Sequence, residues 1–75
     1  MNFQQLHSSE PLSQGELTSI TAIVEYLAFK KGSGSELTYS QLAAEFDVPN
    51  VKQIKRRDFD RAVKFLVDLE GLTIN

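Results

Sequence analysis

One stretch of this chain is marked as a helix at both ends, and that marking constrains everything around it. Ser13-Gln14-Gly15-Glu16 has the spacing of a capping box. The serine oxygen is placed to accept the backbone N–H three residues on, and the glutamate to reach back to the serine N–H. Leu12 and Leu17 flank the cap as a hydrophobic staple. At the other end, Lys30 and Lys31 suit the negative end of the helix dipole, and Gly32 supplies a left-handed closing residue. Between these signals, Leu17, Ile20, Ile23, Val24, Leu27 and Ala28 recur at helical spacing and form one broad apolar stripe. The spacing therefore predicts a helix over residues 13–31 with one buried face.

A chain of 75 residues builds one domain and buries only about 60–65% of the surface its unfolded state exposes. It contains no cysteine, which removes disulfides and thiolate metal sites. A lone histidine, His7, does not build a metal site and is read as a solvated residue. Stability must come from the apolar core, or from self-association. No cofactor is expected. The start of the chain has no basic and apolar leader, and no apolar run approaches the roughly twenty residues of a membrane span. These features lead us to expect a cytoplasmic protein.

The rest of the chain divides at Gly and Pro. Residues 1–12 read as a polar arm, docked or loose, whose large apolar groups are Phe3, Leu6 and Leu12. Residues 13–75 read as the folded domain. Gly32-Ser33-Gly34-Ser35 is a connector without the lysine or setting of a phosphate cradle. Glu36-Leu37 is expected as at most a very short strand. Thr38-Tyr39-Ser40-Gln41 repeats the capping-box spacing and opens a helix over 39–46, with Leu42, Ala43 and Phe46 facing inward. Asp47-Val48-Pro49-Asn50 ends it.

The last helix poses a choice. A continuous helix from Val51 would turn Lys52 and Lys55 toward the same side as Phe59, Val63 and Leu66, and burying ammonium groups is costly. The reading that avoids this is a short turn at about 50–56, Asp58 as N-cap and a main helix over 59–70. Phe59, Ala62, Val63, Leu66 and Leu69 then face the core, and Arg57, Arg61, Lys64 and Asp68 face solvent. Gly71 is expected to cap this helix, and Leu72-Thr73-Ile74 to begin a strand that pairs with 36–37. The fold class is mainly α: a three-helix, helix-turn-helix-like bundle with at most a minimal two-stranded β element, residues 36–37 with 72–74.

In this order of elements the chain resembles a winged helix-turn-helix domain. Leu37-Thr38-Tyr39-Ser40-Gln41-Leu42-Ala43-Ala44-Glu45-Phe46-Asp47-Val48 looks like the first motif helix and turn, and Phe65-Leu66-Val67-Asp68-Leu69-Glu70-Gly71-Leu72 like a recognition helix running into a wing. The resemblance covers residues 13–75 and departs from the family twice. Residues 50–57 form a long basic stretch where the family has a tight turn, and no wing hairpin follows the last helix. The resemblance implies a DNA-binding, transcription-regulatory domain that presents its last helix to the major groove.

Six of the eight cations fall within residues 52–64: Lys52, Lys55, Arg56, Arg57, Arg61 and Lys64, against Asp58 and Asp60. The net charge of −2 disfavours a general polyanion binder, but a concentrated patch still attracts an anionic partner. In the DNA reading Lys55, Arg56 and Arg57 meet phosphates, Lys52 adds a backbone contact, Lys64 lies along the exposed helix side, and Arg61 is the candidate for a bidentate guanine contact. In the bland reading the same residues are a solvated face with pairs such as Asp60–Lys64 and Lys64–Asp68. No nucleophile–base pair or opposed carboxylate pair emerges, so neither an enzyme nor a small-molecule substrate is expected.

The alternative function is protein interaction. Ala22, Tyr26 and Phe29 form a second strip opposite the buried stripe of the first helix. It needs a cover: the N-terminal arm, the C-terminal end of the chain, or a second subunit. Aromatic residues of this kind anchor interfaces, and a homodimer through this helix would serve either function.

Overall fold

The computed structural model describes residues 10–74, with side chains through Gly71. The readings placed on Phe3, Leu6 and His7 lie outside the described residues. The described residues form three helices: α1 (Gln14–Lys31), α2 (Ser35–Glu45) and α3 (Phe59–Ile74). Two short 3-10 turns, Val51–Gln53 and Arg56–Asp58, link α2 to α3.

The helix α1 begins and ends at its sequence signals. Ser13 Oγ accepts the Glu16 N–H at 3.1 Å, and Glu16 Oε1 accepts the Ser13 N–H at 2.8 Å. Gly32 closes the helix at φ 68°, and Ser33 N–H reaches the Ala28 carbonyl at 3.1 Å. A left-handed residue at this place favours glycine because a Cβ there crowds the backbone.

Helix α2 starts a turn earlier than the sequence suggests. Gly34 is its N-cap, Glu36 lies in its first turn, and Thr38, expected as a cap, is a buried helical residue. The earlier start puts Thr38 one turn before Leu42, on the face packed inward. Its partner strand is also missing, because α3 runs straight through Gly71 to Ile74. The optional β element of residues 36–37 with 72–74 is therefore not formed. Gly71 lacks the positive φ of Gly32. A helical glycine costs only about 1 kcal/mol relative to alanine, too little to force an end.

Helix α2 closes before Pro49, in a Schellman arrangement. Val48 N–H donates to the Ala43 carbonyl and Asp47 N–H to the Ala44 carbonyl, each at 3.1 Å. Asp47 occupies the left-handed position at φ 56°. Polar residues of this type tolerate that conformation better than others do.

The core is formed by Ile20, Val24 and Leu27 of α1, Leu42 of α2, Ile54 of the connector, and Ala62 and Leu66 of α3. All but Ile54 lie on faces legible as helical stripes. Ile54 is buried by a contact of a different kind. Segment 10–12 runs antiparallel to 54–56, with a bridge between Pro11 and Lys55. Leu12 N–H donates to the Ile54 carbonyl at 3.1 Å, and Arg56 N–H to the Glu10 carbonyl at 2.8 Å. This short staple, not the pairing of 36–37 with 72–74, is the extended pairing of the described residues.

Candidate nucleic-acid interface

The connector and the first turns of α3 carry the six cations. Lys52 stands exposed in the first 3-10 turn, which is capped by Asn50 Oδ1 accepting the Lys52 N–H at 2.9 Å. Lys55 is exposed too, its backbone extended against Pro11. Arg57, Arg61 and Lys64 follow at spacings of four and three residues, all exposed. Arg61 and Lys64, three apart within α3, share a helix face, and Arg57 precedes them in the second 3-10 turn. The expected outward side of the last helix is therefore the outward side in the fold.

Arg56 departs from this group. Its Nε donates to Glu16 Oε1 at 3.2 Å, and its Nη1 lies 3.8 Å from Glu10 Oε1. The Glu16 carboxylate thus holds the start of α1 and the basic connector together. Arg56 is a structural tie here, with Nε and one terminal nitrogen directed to carboxylates and its charge partly offset by them.

The same contacts hold the Glu16 carboxyl below its ordinary value. The largest cause is the Ser13 backbone N–H. Partial burial opposes it, and the Ser13 hydroxyl and Arg56 add to the lowering. A carboxyl lowered on folding contributes stability above its unfolded value, and that contribution disappears as pH falls through the lowered folded one. Glu16→Gln preserves a capping-box side chain but carries no charge for Arg56. We expect the variant to be less stable than the wild type near neutrality, with the gap closing as the solution is acidified. Denaturant melts at descending pH check this; a constant gap contradicts it.

Among the other pairs, Lys64 and Asp68 lie 3.8 Å apart as expected, both exposed. The expected Asp60–Lys64 pair is not formed. Asp58 does not cap α3; its carboxylate takes Arg61 Nη1 at 3.1 Å. The Arg61 guanidinium carbon also lies 4.9 Å from the centroid of the Phe46 ring. Sequence reasoning assigned Phe46 to the core and gave no signal of this stacking, which depends on how the end of α2 meets α3.

The second strip of α1 is open among the described residues. Ala22 is exposed, Tyr26 is 53% exposed and Phe29 is 83% exposed. Lys30 extends from this side, its ammonium 5.5 Å from the Tyr26 ring centroid and 3.0 Å from Glu70 Oε2 of α3. The Glu70 contact raises the Lys30 pKa, with Tyr26 contributing. An open groove of about 580 Å³, lined by residues including Leu17, Tyr39, Ala43 and Val51, separates α1, α2 and the first 3-10 turn. Among the described residues no group of three His, Asp or Glu side chains is placed to hold a metal ion, and no helix is long and apolar enough to cross a membrane.

Comparison with known proteins finds no matching family model, no matching curated protein and no matching solved structure.

Proposed function

We propose that the protein is a small, non-enzymatic DNA-binding domain of the winged helix-turn-helix kind, with no wing hairpin among the described residues, acting in transcription regulation in the cytoplasm. The observation that carries this reading is the exposed pair Arg61 and Lys64 in the first turns of α3, preceded on the connector by the exposed Lys52, Lys55 and Arg57. In a helix-turn-helix docking the start of the second motif helix meets base edges, and flanking cations meet phosphates. Arg56, paired with Glu16 and Glu10, is the cation of the set whose charge is most offset. The acidic remainder of the surface limits non-specific retention and leaves attraction concentrated at this edge.

The test is the salt dependence of duplex binding. We expect binding at low salt, with log affinity falling against log salt at a slope of about −0.9 for each phosphate contact. A flat dependence, or no association with any duplex at low salt, sinks the proposal.

One observation favours a second reading, a protein-interaction module that uses Ala22, Tyr26 and Phe29. A phenylalanine as open as Phe29 stabilises nothing within the described fold, and buried aromatics dominate interface energetics. A self-dimer is one form of this reading. In that case Phe29→Ala weakens concentration-dependent association in sedimentation while the thermal melt of the monomer is unchanged. A wild type that stays monomeric at high concentration excludes the dimer.

A further inference from the structure

Arg61 combines two properties that no other cation of the segment shares. Its side chain is 66% exposed, and its guanidinium is fixed from two different elements. Phe46, at the C-terminal end of α2, supplies a ring face 4.9 Å from the guanidinium carbon. Asp58, in the second 3-10 turn, accepts Nη1 at 3.1 Å with a side chain only 21% exposed. Lys64, by contrast, reaches one exposed carboxylate at 3.8 Å, and Arg57 has no ion pair among the described residues.

A guanidinium is a rigid plane with five N–H donors. Asp58 takes one, and the Phe46 ring takes a face and no donor. The remaining donors have no partner among the described residues and stand on the solvent side. An exposed arginine ordinarily loses much rotamer freedom when it makes a planar, two-point contact. Here the fold has already limited that freedom. A fixed fork suits a pair of coplanar acceptors, which duplex DNA offers both as phosphate oxygens and as guanine O6 and N7. A phosphate can also be held by a flexible lysine acting as a point charge. A base edge depends on angle, and angle is what the ring and the carboxylate fix.

We infer that Arg61 selects a guanine edge, with Phe46 and Asp58 as its positioning residues. The inference rests on the DNA-binding reading, and its test separates the two. The full chain is used to select preferred duplexes from a randomised pool. Affinities are then measured for the selected duplex and for copies with each guanine replaced, using the wild type, Arg61→Lys and Asp58→Asn. The expected result is one G·C pair whose replacement costs the wild type roughly 10- to 100-fold. Arg61→Lys and Asp58→Asn lose most of that discrimination, while the salt slope of Arg61→Lys stays at the wild-type value because its charge is retained. Discrimination preserved in both Arg61→Lys and Asp58→Asn shows that a fixed guanidinium fork does not read the base and overturns the inference, as does duplex binding without guanine preference; both leave the DNA reading intact. Absence of any duplex binding overturns both. A measurement without DNA checks the positioning: side-chain NMR relaxation should find the Arg61 guanidinium more ordered than that of Arg57, and less ordered in Asp58→Asn. Equal mobility of the two arginines in the wild type overturns it.

Discussion

Leu66→Ala is expected to destabilise the fold by about 2–5 kcal/mol, the usual range for truncating a fully buried leucine. Leu66 is 0% exposed and joins Ala62 of α3 to the α1 and α2 side chains of the core. A domain of this length typically has a total stability of only about 4–11 kcal/mol, so a single truncation here removes a large share. Neither a disulfide nor a thiolate metal site exists to compensate. Phe59→Ala, by comparison, deletes a ring that packs on the core but is only partly buried. Its cost should fall below the about 3–5 kcal/mol of a fully enclosed phenylalanine. Arg61→Ala, on the opposite face, should stay within about 0.5 kcal/mol of wild type. Urea melts of the three variants give the order directly. A loss for Arg61→Ala as large as that for Leu66→Ala would reverse the assigned faces of α3.

The largest functional effect should come from removing the three cations of residues 52–64 that have no ion pair among the described residues. Lys52→Ala, Lys55→Ala and Arg57→Ala together should lower duplex affinity by about 500-fold near 0.1 M salt and reduce the log–log slope by about 2.7, if each meets one phosphate. Stability should change little, because all three side chains are exposed. The loss should also be similar for every duplex sequence, since phosphate contacts carry no direct base information. Titrations at several salt concentrations separate the outcomes: an unchanged slope would place the DNA contact elsewhere or exclude it.

Helix faces were legible in the sequence because their signals are local and repeated. The cap at Ser13 and Glu16, the stop at Gly32 and the stripes of α1 and α3 each rest on residues within a turn or two of one another. The errors arose where one residue admits two backbone roles. Thr38 suits a cap but sits one turn from Leu42, and packing drew it into the helix. Gly71 suits a C-cap, yet its penalty inside a helix is small. Asp58 suits an N-cap, but its carboxylate meets a nearby guanidinium instead. The remaining omissions are non-local. Nothing near Arg56 announces that Glu16, forty residues earlier, will hold it, and nothing near Phe46 announces Arg61. Such contacts follow from how the helices cross, which a periodicity does not encode.

The pairing of residues 10–12 with 54–56 also bears on folding. It closes a loop of some forty residues, an entropic cost that local helical turns do not incur. Docking of α1 and the following elements brings the two ends together and offsets that cost. The pairing is short, yet it includes Ile54 of the core, so it ties the connector to the packed interior. Opening of this pairing frees the connector backbone and separates the segment that leads into α1 from the connector that carries Lys55 and Arg56.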